Sequence, residues 1–319
     1  MIAPHSPLRV LCLGCGLAAR IHSRVLRHMP DVELAYASRT PERAAEFRLK
    51  YGGVRSWGSY EQGLADPDVH VVLVATPTAT HADLTLRSLR AGKHVIVEKP
   101  AFLRATDADV VRDAAAAVGR QVFVAENYVY KPIARELRVL IESGALGEVR
   151  FVSLNATRWQ PAQGWRAEPA MSGGGALFEA GVHWISFAAR LGLGLKDVQG
   201  FRAGGTTGPD QSSLTVFQYT NGAIGTLAHS WELRAPLGGA RSSRVQGTDG
   251  SVTFESNGFA SYTTGVRRRL RLHLCDTFGY RAMHADFLGA IRSDGAPYYT
   301  LDMAQRDLEW LERAQADVK

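Results

Sequence analysis

Residues 94–100 read His-Val-Ile-Val-Glu-Lys-Pro, a β-branched run that stops on a carboxylate, an ammonium and a proline. Proline confines Lys99 to extended backbone, so Lys99 ends a strand and stands at the carboxyl edge of a sheet, where α/β proteins bind ligands. A cation there orients a substrate hydroxyl and favours negative charge growing on its oxygen. Glu98 beside Lys99 also reads as a structural ion pair. Downstream, Gly173-Gly174-Gly175 leads into an apolar helix over Ala176–Ala189, on which Glu179 and His183 are four apart and share a face. Histidine titrates near neutrality, which suits His183 to exchange an alcohol proton, and glycines let backbone approach a planar ligand. A surface salt link is the plainer account of the Glu179 and His183 pair. Trp165-Arg166 reads equally as a wall and oxygen donor for a polar ring or as a stacked structural pair. Tyr128, Tyr130, His229 and Tyr280 read as packing or surface.

A second constellation is the turn Gly14-Cys15-Gly16-Leu17-Ala18-Ala19, which follows a strand and opens a helix. Gly14, Gly16, Leu17 and Ala18 are therefore candidates to hold a pyrophosphate on helix N-terminal amides, with alanine a tolerated replacement for the third glycine. The end of the second strand, where an acid would hold the ribose hydroxyls of NAD, reads Ser38-Arg39. With no carboxylate to repel a 2′-phosphate and a guanidinium to bind it, NADP is preferred over NAD.

These residues require a parallel sheet. Runs at Arg9–Leu13, Glu33–Ala37, Val69–Ala75, His94–Val97 and Gln121–Ala125 alternate with amphipathic segments, the signature of strands joined by crossover helices. Thr40-Pro41 starts one helix and Gly92 stops another. After Glu126 come a helix over Pro132–Ser143 and alternating runs at Val149–Asn155, Ser213–Tyr219, Ala223–Ser230, Ser251–Glu255 and Gly265–Leu274. Asn221-Gly222 and Asp249-Gly250 lie between such runs as hairpin turns. Helices over Ala282–Arg292 and Asp302–Ala316 close the chain. The fold expected is α/β: a dinucleotide-binding domain over 1–125 and an α+β domain over 126–319 with a mainly antiparallel open sheet.

Length and composition agree with two domains, since 319 residues with 45% hydrophobic side chains exceed what one core usually covers. The net charge of +6 is spread among 31 acids, with no motif for nucleic acid beside it. Arg267, Arg268, Arg269 and Arg271 read as a solvated edge strand. Three cysteines make no disulfide framework, and Cys12 and Cys15 fall in a strand and a turn, so neither a redox nor a metal role is expected. No stretch is long and apolar enough for a membrane span and no leader precedes the first strand, which makes the cytoplasm the default location.

At these residues the chain resembles the Gfo/Idh/MocA family of glucose-fructose oxidoreductase, inositol dehydrogenase and the MocA proteins. The matching stretches are Gly14-Cys15-Gly16…His22, Ala75-Thr76-Pro77…His81, Glu98-Lys99-Pro100, Ala125-Glu126-Asn127, Gly164-Trp165-Arg166…Gly173-Gly174-Gly175 and Gly181-Val182-His183. The resemblance implies a Rossmann domain and a second domain whose open sheet face builds a homodimer or homotetramer. It implies hydride exchange between nicotinamide and a hydroxyl-bearing carbon of a sugar, nucleotide sugar or cyclitol. Lys99 and His183 are then the catalytic pair, expected over one face of the pyridine ring. Thr76, Pro77, Glu98 and Asn127 are expected at the nicotinamide and ribose, with His81 in the same cofactor-binding stretch. Where the family usually has aspartate this chain has Glu179, a longer acid that orients His183 or binds a substrate hydroxyl. Two other classes remain open: a cofactor sensor without turnover, and a hydrolase or epimerase that recycles bound NAD.

Overall fold

In the first part of the chain the alternation of apolar runs and amphipathic segments produces six parallel strands joined by helices. The strands are β1 (Leu8–Leu13), β2 (Val32–Ala37), β3 (Arg55–Trp57), β4 (Val71–Val74), β5 (His94–Val97) and β6 (Val122–Val124). Between them run α1 (Leu17–Leu26), α2 (Pro41–Tyr51), α3 (Tyr60–Leu64), α4 (His81–Arg90) and α5 (Asp107–Ala117). Every residue of β4 and β5 is buried, as befits strands covered by helices on both faces. The order β3-β2-β1-β4-β5-β6 reverses direction at β1, so the crevice beyond the carboxyl ends of β1 and β4 is the topological switch point. Pro41 occupies the first turn of α2, and left-handed Gly52 ends it.

The second sheet follows from hairpins. Its elements are α6 (Pro132–Glu142), β7 (Val149–Thr157), α7 (Pro169–Ser172), α8 (Val182–Ala189), β8 (Leu195–Ala203), β9 (Ser212–Tyr219), β10 (Ile224–Ser230), β11 (Ser242–Gly247), β12 (Ser251–Glu255), β13 (Ala260–Thr264) and β14 (Arg269–Leu272). The order is β14-β13-β12-β11-β7-β10-β9-β8, with β7 and β10 parallel and the other pairs antiparallel. Asn221-Gly222 links β9 to β10 and Asp249-Gly250 links β11 to β12, as hairpin chemistry requires. One face buries Val152, Leu154, Phe217, Val245, Val252 and Phe254, with Phe187 of α8 packed on Phe254. The other face leaves Phe151, Phe201, Leu214, Ile224, Tyr262 and Leu270 exposed. Of the arginine run, Arg268 and Arg269 are exposed at the edge, Arg271 pairs with buried Glu136 at 3.1 Å, and Arg267 lies outside the described residues. The run ends on the edge strand β14, with Arg271 at the register position of Ser261.

The chain continues into α9 (Tyr280–Ser293) and α10 (Leu301–Ala316). The computed structural model describes residues 6–205, 208–234, 240–265 and 268–316. It divides into one unit of Met1–Ala125 with Tyr280–Gln305 and another of Glu126–Gly279 with Arg306–Lys319. A second domain running unbroken from 126 to 319 is therefore corrected. Helix α9 joins the first unit because Met283, His284 and Phe287 are buried there, with Phe287 stacked on Phe123 at 5.0 Å and His284 edge-on to His22 at 4.9 Å. Among the described residues no helix is long and apolar enough to cross a membrane.

Candidate active site

In the first unit the chain leaves β1 at Gly14, whose φ of +92° suits glycine and whose absent Cβ would lie 2.7 Å from the carbonyl oxygen of Ala75. Any side chain would push β1 away from the strand end beside it. Gly16 caps α1 without a side-chain hydrogen bond, and a Cβ there would meet nothing within 4 Å. Leu17, half exposed, and Ala18 begin the helix. Open ground over uncapped helix amides at a switch point fits the pyrophosphate of a dinucleotide. At the end of β2, Arg39 is exposed and Ser38 is turned inward, its Oγ accepting the Thr40 N–H at 3.2 Å. None of residues 38–40 at this strand end is an acid that would repel a 2′-phosphate. Cys15 of the turn is buried, and burial pushes its thiol up to about 12, away from redox chemistry at neutral pH.

Lys99 follows Glu98 just beyond the end of β5 and is half-buried; its peptide bond to Pro100 is cis. The carboxylate before it is occupied within the fold. One oxygen of Glu98 lies 2.5 Å from His22 Nε2, the other accepts the Lys99 backbone N–H at 3.0 Å, and His22 Nδ1 lies 2.8 Å from His284 Nε2. Burial alone would raise the Glu98 pKa, but the hydrogen bond and charge of His22, with Lys99 beside it, hold it down at about 2. Glu98 thus fixes the backbone that presents Lys99. His81 is buried, with ring nitrogens 2.9 Å from the carbonyls of both Thr76 and Pro100. Burial lowers its pKa, and the neutral ring donates to one of the two at a time, tying the loops after β4 and β5 together. The inward commitment of Glu98 and His81 sets these two apart from Thr76 and Pro77, which are only half-buried on the same edge.

In the second unit His183 lies in the first turn of the regular helix α8, with its Nδ1 2.7 Å from Glu126 Oε1. The same oxygen accepts the Tyr128 N–H at 3.0 Å, so the carboxylate is locked against its own loop. An acceptor at Nδ1 keeps the proton on that nitrogen, and in the neutral ring Nε2 then carries the basic lone pair. The Tyr128 ring stacks on the imidazole at 4.3 Å with 12° between planes. The acid on Nδ1 is thus Glu126. Glu179 accepts from Arg166 Nε at 2.9 Å, and the Arg166 guanidinium lies 4.6 Å over the Trp165 ring. Residues Leu177–Gly181 form a π-helical turn directly ahead of α8. Asn127 is buried and donates from Nδ2 to the Phe278 carbonyl at 2.7 Å. His229 is also buried, and burial lowers its pKa to about 3 and keeps it neutral, with the charge of Arg158 adding to the fall and that of Glu179 opposing it.

The three glycines before this turn have neighbours of their own. A Cβ on Gly173 would strike Phe178 at 2.2 Å and one on Gly175 would strike Asp210 at 2.1 Å. Asp210 in turn accepts the Leu177 N–H at 2.9 Å. Close packing at the head of the helix thus accounts for Gly173 and Gly175 without a ligand. Sequence reasoning did not single out Glu126 as the partner of His183 and read Tyr128 as packing or surface; the available signal was that Glu126 follows β6 as Lys99 follows β5. Among the described residues no group of three His, Cys, Asp or Glu side chains is placed to hold a metal ion.

Comparison with known proteins adds independent observations. Residues 8–126 match the family model described as an oxidoreductase family with an NAD-binding Rossmann fold, and residues 134–253 match the GFO/IDH/MocA C-terminal domain. Levoglucosan dehydrogenase of Pseudarthrobacter phenanthrenivorans is 28% identical over 288 residues, covering 77% of this chain and 73% of that protein. Trans-1,2-dihydrobenzene-1,2-diol dehydrogenase of Bos taurus is 32% identical over 234 residues, covering 70% and 68%. The crystal structure of GenD2 from gentamicin A biosynthesis, in complex with NAD, superposes with a TM-score of 0.85 at 26% identity over 98% of this chain and 94% of that one.

Proposed function

Since the chain belongs to the Gfo/Idh/MocA oxidoreductase family, with its NAD-binding Rossmann domain, we propose that it exchanges hydride between a nicotinamide dinucleotide and a hydroxyl-bearing carbon of a sugar, nucleotide sugar or cyclitol. The observation that carries this reading is the 2.7 Å bond from His183 Nδ1 to Glu126, which prepares Nε2 as a base. The names of the relatives, a levoglucosan dehydrogenase and a trans-1,2-dihydrobenzene-1,2-diol dehydrogenase, support the substrate class.

The bound nicotinamide supplies C4 as hydride acceptor or donor. Lys99 donates a hydrogen bond from its ammonium to the substrate oxygen and stabilises the charge that grows there. His183 Nε2 takes the hydroxyl proton during oxidation and returns it during reduction. Glu126 steadies the imidazolium that results. Gly14, Gly16, Leu17 and Ala18 hold the pyrophosphate, and Thr76, Pro77 and Asn127 shape the ground beside the ring. Glu98 and His81 act on the cofactor through the loops they fix. Trp165, Arg166 and Glu179 contact substrate hydroxyls. Absorbance of reduced nicotinamide across a panel of sugars and cyclitols tests the reading: turnover supports it. Tight cofactor binding without redox change on any of them would favour a sensor, and product formed without added cofactor would favour recycling of a bound one.

NADP is the preferred cofactor in this reading, supported by Ser38 and the exposed Arg39 at the end of β2. Arg39→Ala is expected to weaken NADPH binding about 10–100-fold, the worth of a charge-assisted hydrogen bond, while leaving NADH binding near its original strength. Paired fluorescence titrations check it; equal losses for both would contradict the assignment. The exposed apolar face of the second sheet supports a homodimer or homotetramer, and light-scattering mass in solution should read two or four chains. A cytoplasmic location is consistent with the buried free thiols of Cys12 and Cys15.

A further inference from the structure

Lys131 is nearly inaccessible, 1% exposed, although it is a lysine at the start of α6. Its ammonium lies 4.0 Å from the centroid of the Tyr128 ring, and that ring stacks on His183 at 4.3 Å. Two groups that each approach a ring at about van der Waals distance exclude one another from one face. The aromatic plane therefore separates an amine from the imidazole that Glu126 orients. The charges around the amine are Glu255 at the end of β12, Arg241 ahead of β11, and Glu126. Burial draws its pKa down to about 7, with Glu255 and Glu126 opposing and Arg241 reinforcing the fall.

We propose that Lys131 is a positioning residue for proton transfer, acting through the Tyr128 ring to set the pH range over which His183 accepts a proton. The inference rests on the reading that His183 carries the substrate proton. A cation is held over the ring face by the ring quadrupole, and imidazolium formation on the far face brings a second positive charge within reach of the first. In a poorly solvated setting that repulsion disfavours the imidazolium. When the amine loses its proton the restraint is lifted, so the two groups titrate as a pair. Neither Lys131 nor Tyr128 need touch substrate for this.

NMR titration of the cofactor-free enzyme tests the coupling without any need for turnover. The His183 Cε1 proton should titrate about one unit higher in Lys131→Met than in the wild type, and Lys131→Arg, which keeps the charge, should not show that rise. By reciprocity the ¹³Cε signal of Lys131 should move up by a similar amount in His183→Asn, a measurement that stands even if Lys131→Met does not fold. The acid limb of kcat/KM should follow the His183 midpoint. Superimposable His183 curves for wild type and Lys131→Met, or an unmoved Lys131 midpoint in His183→Asn, would overturn the inference. Absence of turnover alongside coupled titrations would instead fault the proposed reaction.

Discussion

Lys99→Met is expected to bind the dinucleotide as tightly as the wild type while losing about 10²–10⁴ in kcat, the range for removing a group that handles a proton or a developing charge. The backbone at Lys99 is held from outside the side chain, by Glu98 accepting its N–H and by His22 and His284 behind Glu98. Methionine keeps the length of the stem, so the change removes the ammonium and leaves the loop in place. Lys99→Arg should recover part of the rate, because the charge returns on a bulkier and flatter head. Single-turnover rates with cofactor affinity measured in parallel separate the two effects. A fall in affinity with an unchanged rate would assign Lys99 to cofactor binding alone.

The second large effect falls on Glu126. Its Oε1 accepts from both the His183 ring and the Tyr128 backbone N–H, so a glutamine would place its carbonyl there and preserve the tautomer while losing the charge. Glu126→Gln should therefore lower kcat less than Glu126→Ala, which also releases the ring; about 10-fold against about 10³-fold is the expected order, taking orientation of a catalytic histidine by its acid as a guide. The sign of the pH effect follows from charge. A carboxylate favours imidazolium, so its removal lowers the pH at which His183 gains a proton, and the acid limb of kcat/KM for Glu126→Gln should move to lower pH. Identical pH profiles for wild type and glutamine variant would mean that the carboxylate does not tune the base.

The parts of the fold that were legible in the sequence are those set by local chemistry. Thr40-Pro41, Gly52 and Gly92 punctuate helices through their own backbone preferences, and Asn221-Gly222 and Asp249-Gly250 close hairpins for the same reason. Strand β3 is three residues long, and β11 and β13 carry few large apolar side chains, so no period of two stands out in them. The return of α9 to the first unit is topological: Phe287 finds Phe123 across 164 positions, which no periodicity reveals. Of the proposed catalytic pair, Lys99 was legible as a cation beside a strand end and His183 as an imidazole on a helix. Their supports were not. Glu126 is 57 residues from His183, no regular period announces the π turn at Leu177–Gly181, and the close approach of Gly173 to Phe178 and of Gly175 to Asp210 is a matter of packing.

A double-mutant cycle on the hydride-transfer step, measured by single turnover with saturating cofactor and an identified substrate, tests the central claim most directly. If Lys99 and His183 serve the same oxygen, Lys99→Met with His183→Asn should be little slower than the worse of the two single variants, since groups that act as a unit do not add. Losses that multiply across the cycle, or a single variant at the wild-type rate, would contradict it.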